Sequence, residues 1–115
     1  MRIYDPFGRV WPLDYVLQGV GPGWSKIVQR LIRDLFILGW DGQLHQIKEK
    51  FGGLRFYIGG GSDAIFERIN KAENESFKVC ESCGEPGKIW PEWYWMATHC
   101  EACNKKRWKQ KKGRG

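Results

Sequence analysis

Cysteine spacing constrains this chain more than any other feature of its 115 residues. The four cysteines form two matched pairs, Cys80 with Cys83 and Cys100 with Cys103, in the pattern C-x2-C-x16-C-x2-C. Cysteines with two residues between them let both sulfurs point into one tight turn, and two such turns close a tetrahedron around one ion. Four thiolates leave no open coordination position. The pattern therefore predicts one structural Zn2+ rather than a catalytic one. An iron centre can use the same four ligands and is the alternative metal.

A chain of this length buries roughly two thirds of the surface its unfolded form exposes, so its core need not depend wholly on the metal. Charge is unevenly placed. Seven of the nineteen basic residues lie in the last eleven positions: Lys105, Lys106, Arg107, Lys109, Lys111, Lys112 and Arg114. That stretch holds no acid, and the remainder carries twelve basic against thirteen acidic residues. The expected organisation is an α+β domain over 1–78, a cysteine module over 79–104 and a basic disordered tail over 105–115. Such a tail attracts phosphate or acidic surfaces. The first residues lack the apolar stretch of a signal peptide, and the longest uncharged apolar run, Leu35 to Trp40, is far too short to span a bilayer. A reducing bacterial cytoplasm is the expected compartment, where thiols ligate metal rather than pair, and no membrane partner is expected.

Residues 1–23 mix aromatics with Gly and Pro and read as an extended segment or short strand. From Trp24 a helical period takes over: Ile27, Val28, Leu31, Ile32, Leu35 and Leu38 share one face, while Lys26, Gln29, Arg30, Arg33 and Asp34 take the other. Gly39 supplies a stop. Leu44 to Lys50 suits a strand, Phe51-Gly52-Gly53 a reversal, and Leu54, Phe56 and Ile58 alternate with Arg55 and Tyr57 as a half-buried strand. Ser62 can cap a second helix reaching about Phe77, with Ile65, Ile69, Ala72 and Ser76 turned inward. Ile89 to Met96 reads as hairpin-forming. The fold class expected is α+β, with two helices packed on a β-hairpin and followed by a zinc-ribbon-like four-cysteine module.

No catalytic constellation assembles from these residues, and no enzyme activity is expected. His45 and His99 are the only histidines, and neither pairs with a Ser or Cys nucleophile. Gly59-Gly60-Gly61 lacks the Lys-Ser/Thr of a phosphate loop. His99-Cys100-Glu101 lacks the downstream P-C-x-x-C of zinc deaminases. His99 neighbours a ligand and could replace a cysteine, but adjacent side chains diverge in an extended strand, which argues against it. The aromatic run Trp90, Trp93, Tyr94, Trp95 is a candidate contact surface. In an extended segment Trp93 and Trp95 face one way and Tyr94 and Met96 the other, so one row can pack while the second stacks on bases or anchors a protein. Trp108, set among Lys105, Lys106, Arg107, Lys109, Lys111 and Lys112, belongs to the same set of partner-binding candidates.

Trp40-Asp41-Gly42, the run Gln46-Ile47-Lys48-Glu49-Lys50-Phe51-Gly52-Gly53-Leu54-Arg55-Phe56-Tyr57, Ala72-Glu73 and the Cys80/Cys83 pair together resemble a family of small bacterial and phage proteins. The resemblance covers about residues 24–103, and most members of the family have no assigned function. The Trp-rich insert and the cationic tail depart from the family pattern. Small zinc-containing proteins of phages and prophages include anti-CRISPR proteins. The resemblance therefore implies a non-enzymatic inhibitor that binds a Cas effector, of Cas9 type, and blocks its access to DNA. The residues themselves leave an alternative: a zinc-ribbon nucleic-acid-binding protein that uses the basic tail and exposed aromatics, whose binding must weaken steeply with salt.

Overall fold

The computed structural model describes the backbone of residues 2–92 and 95–112 and the side chains of residues 2–90 and 96–106. The amphipathic stretch after Trp24 forms α2 (Ser25–Ile37), which buries Ile27, Val28, Leu31, Ile32 and Leu35. Gly39, at φ 94°, follows the end of the helix. Leu38 falls past the last turn and is exposed rather than buried. β1 (Leu44–Lys50) and β2 (Gly53–Ile58) form an antiparallel hairpin in which Ile47 pairs with Phe56 and Lys50 with Gly53. α3 (Asp63–Ser76) starts at Ser62, whose Oγ accepts from the Ile65 amide, and turns Ile65, Ile69, Ala72 and Ser76 inward. α2 and α3 pack on each other, with α3 against β2. An Arg68–Asp34 pair at 2.9 Å links the two helices, and the Arg68 guanidinium holds the Asp34 carboxyl below its usual range.

Trp24, Leu31, Leu35, Leu44 and Leu54 are fully buried at the centre of this layer. Trp40 closes one end, with its ring centroid 5.0 Å from Phe36 and 5.9 Å from Phe56. The mixed α+β class and the helices-on-hairpin arrangement are those expected.

The first 23 residues are not simply extended. Tyr4 forms a parallel bridge with Gln43, beside the start of β1, and an antiparallel one with Val10. The Asp5 carboxylate accepts from the Phe7 and Arg9 amides at 2.8 and 2.9 Å to form the turn between them. A single helical turn, α1 (Leu13–Leu17), then buries Val16, and a 3-10 turn spans Pro22–Trp24. One turn started by Pro12 carries no periodic signal, and a buried Val16 holds it in place.

The C-terminal part contains a second antiparallel hairpin, β3 (Lys88–Glu92) with β4 (Trp95–His99), and then α4 (Glu101–Lys112). The stretch read as a disordered tail from 105 is helical through Lys112. Its start coincides with the second cysteine pair, which supplies a reason the charge pattern alone could not. The hairpin is not free-standing. Ala97 and Thr98 are both fully buried, although they face opposite sides of β4, so both faces of the strand are covered. On one side the Thr98 hydroxyl donates to the Gly52 carbonyl at 2.6 Å, which ties β4 to the β1–β2 turn.

Candidate metal centre

The first cysteine pair sits on a compact turn. The Cys80 amide donates to the Glu85 carbonyl at 2.8 Å, and the Gly84 amide donates back to the Cys80 carbonyl at 2.9 Å. The second pair is built differently from the matching turn that the spacing suggested. Cys100 stands just before α4, and Cys103 lies in its first turn, where its amide donates to the Cys100 sulfur at 3.4 Å. The Asn104 amide donates to the Cys100 carbonyl at 3.0 Å, closing the first helical turn. A helix N-terminus carries partial positive charge, which favours thiolates gathered there.

All four sulfurs lie within 4.8 Å of one another, and Cys83 and Cys100 approach to 3.6 Å. A tetrahedron with metal–sulfur bonds of about 2.3 Å has edges of about 3.8 Å, so small side-chain rotations fit this cluster to an ion. The four cysteines could hold a structural metal ion, and a fully sulfur-ligated ion supplies cross-linking of the chain rather than an open catalytic position. Burial opposes a Cys80 thiolate. Backbone donors from Cys100, Cys83 and Ser82 and the His99 ring outweigh it, bringing the Cys80 pKa to about 5. Cys103, which shares a hydrogen with Cys100 and is also desolvated, is pushed up to about 12. At Cys83 the Glu85 amide works to lower the pKa, but desolvation and the Cys80 and Cys100 sulfurs prevail and raise it.

The loop that ends the first 23 residues, read as a mere boundary, seats the cluster. The Gly23 amide donates to the Glu81 carbonyl at 2.9 Å, and the buried Trp24 indole donates to the Val79 carbonyl at 2.8 Å. A Cβ added at Gly23 would run into the Cys80 carbonyl oxygen. His99 and Glu81, neither of them expected at the site, stand beside Cys80. His99 Nδ1 is 3.8 Å from the Cys80 sulfur, and its Nε2 is 3.7 Å from Glu81 Oε1. Burial raises the Glu81 pKa. The divergence of adjacent side chains that turns His99 away from Cys100 lets it reach back to the first cysteine pair.

Among the partner-binding candidates, Trp90 is half-buried and donates from its indole to the His99 carbonyl at 2.9 Å, with Lys88 Nζ 4.5 Å above its ring. Lys105 and Lys106 are exposed, and Lys105 pairs with Glu101 at 3.5 Å. Trp93 and Tyr94 lie outside the described residues, as do the side chains of Trp95, Arg107, Trp108, Lys109, Lys111 and Lys112. His45, read as a surface or packed residue, is exposed beside the irregularity between Leu44 and Gln46. Among the described residues no helix is long and apolar enough to cross a membrane. Comparison with protein-family models, curated proteins and solved structures finds no match for this chain.

Proposed function

We propose that this chain is a zinc-organised binding protein that works without catalysis, and that α4 is the element that grips a nucleic-acid backbone. The carrying observation is the origin of α4: a helix that starts in the cysteine cluster and bears Lys105, Lys106, Arg107, Lys109, Lys111 and Lys112 against the single acid Glu101. The sequence of this segment has no set of apolar residues at helical spacing that could form a packing stripe. Such a rod suits phosphates. Zinc is favoured over iron because four thiolates in a closed tetrahedron are its usual structural site. Metal analysis of protein purified without added metal tests this assignment, with one equivalent of zinc expected and iron in its place refuting it.

Nucleic-acid binding is tested by fluorescence anisotropy on a short labelled duplex and the matching single strand. Between about 50 and 200 mM salt, affinity should fall with a log–log slope near −0.9 for each phosphate neutralised on the duplex. The Lys105→Glu/Lys106→Glu variant should bind more weakly and with a shallower slope. Affinity indifferent to salt, or unchanged in that variant, would remove α4 from the role.

A second reading, the phage-encoded inhibitor of a Cas9-type nuclease, draws support from a different face. An apolar groove of about 390 Å³ is lined by Ile3, Val10, Trp11, Leu13, Ile32 and Phe36, with Arg2 and Arg33 beside it. Phe7 stands 91% exposed on the neighbouring turn. Apolar side chains held in water favour protein contact. Co-elution with a purified Cas9-type effector, abolished by Phe7→Ala/Leu13→Ala, is the expected result. No co-elution at micromolar concentration sinks this reading and leaves the first intact.

A further inference from the structure

The four sulfurs do not stand in equivalent surroundings. Cys80 is buried and Cys83 is exposed. Against Cys80 stands His99, 5% exposed, with Nδ1 3.8 Å from the sulfur. The far side of the ring faces Glu81, with Nε2 3.7 Å from Oε1, while the other carboxylate oxygen of Glu81 is buried without a hydrogen-bond partner. The backbone fixes both residues. The Trp90 indole donates to the His99 carbonyl, and the Glu81 amide donates to the Thr98 carbonyl at 3.0 Å. A buried imidazole held between a sulfur and a buried carboxylate is a costly arrangement unless each neighbour is satisfied by it.

We propose that His99, oriented by Glu81, is the positioning residue of the metal centre: its Nδ1–H donates to the Cys80 thiolate and makes Cys80 the ligand that stays on the ion. Metal exchange then proceeds through the exposed Cys83 edge. This inference rests on the metal-binding reading. A hydrogen bond to a ligating thiolate draws charge from the sulfur, so competing protons and electrophiles find it less reactive. Burial keeps chelators from the same sulfur, whereas Cys83, although the Glu85 amide reaches it, is exposed. Among the described residues Ser82 competes for His99, its Oγ lying 3.4 Å from the same Nδ1. Ser82, His99 and Glu81 thus stand in the order of a nucleophile, a base and an orienting acid. Nδ1 has one hydrogen to give, and the ligating thiolate is the stronger acceptor.

The test uses the full chain loaded with Zn2+ or Co2+ and four variants: His99→Ala, His99→Asn, Glu81→Gln and Ser82→Ala. His99→Ala should release Zn2+ to a chromogenic chelator about 10-fold faster or more. In the Co2+ form its sulfur-to-metal charge-transfer band should move to longer wavelength. Asn offers an amide N–H near the position of Nδ1 and should restore most of both properties. Glu81→Gln should fall between parent and Ala, and Ser82→Ala should match the parent. Mild alkylation of the loaded protein should label Cys83 before Cys80. If His99→Ala does not fold, the Asn and Gln variants carry the same comparison.

Release rates and spectra of a folded His99→Ala equal to the parent would overturn the inference, as would Asn behaving like Ala or Cys80 reacting first. These outcomes leave the metal centre standing. A parent chain that binds neither ion sinks the metal reading itself.

Discussion

At the scale of single residues, the sulfurs divide by their protonation. Cys80 has a pKa of about 5 and is already a thiolate at neutral pH, whereas Cys83 and Cys103 are raised and still carry their hydrogens. A metal ion must displace those two protons, so its affinity grows as pH rises toward their pKa values and weakens as pH falls. Titration calorimetry in two buffers of different ionisation enthalpy should show at least two protons released per ion near pH 7. No buffer dependence would contradict the assignment. The ligands were legible from spacing alone, because two residues between cysteines is a local geometric requirement. Glu81 and His99 were not. Their meeting depends on the Cys80 turn and β4 coming together in three dimensions, and only the adjacency of His99 to Cys100 hinted at it.

At the scale of elements, the seat of the cluster is a close approach of two backbones. Gly23 lies against Cys80 and Glu81 with no room for a Cβ. Gly23→Ala should therefore destabilise the protein by about 1–3 kcal/mol through overpacking, and also loosen the metal. Urea denaturation and chelator competition measure the two effects, and a loss of stability with unchanged metal release would separate seat from site. A similar economy of space explains the β1–β2 turn. Phe51 and Gly52 both have positive φ, 54° and 85°. For Phe this backbone is strained, at a cost of about 1–3 kcal/mol. The turn persists because the Glu49 carboxylate accepts from the Gly52 amide at 2.8 Å and Thr98 donates to its carbonyl. The Lys50-Phe51-Gly52-Gly53 stretch was readable as a reversal, but its role as the socket for β4 was not. α2, β2 and α3 were visible because each repeats its burial at a fixed period or begins at a capping side chain, and β1 because it leads into the Phe51-Gly52-Gly53 reversal. α1 is too short for a period, and α4 has no apolar stripe to produce one.

At the scale of the whole molecule, the described residues form one apolar cluster, drawn from α1, α2, the first hairpin and α3 with Ile3, Trp24 and Trp40 beside it. The cysteine module adds Cys80, Ala97, Thr98, His99 and Asn104 as buried residues, and hydrogen bonds from the Gly23 amide, the Trp24 indole and the Thr98 hydroxyl tie it to the rest of the chain. Hydrogen exchange followed by mass spectrometry should show this division. Chelation should open amides between 79 and 112 while those of α2, β2 and α3 remain protected. Uniform loss of protection would mean that metal and core fold as one unit. α4 takes this dependence further. A twelve-residue helix is marginal in water on its own, and like charges at Lys105/Lys109 and Arg107/Lys111 oppose it. Cys100 and Cys103 pre-form its first turn, and a polyanion laid along it would relieve the repulsion. Ion and polyanion then act on one coil-to-helix equilibrium. Under the proposed function, thermodynamic reciprocity then requires that any factor by which metal strengthens polyanion binding equal the factor by which a bound polyanion strengthens the hold on metal.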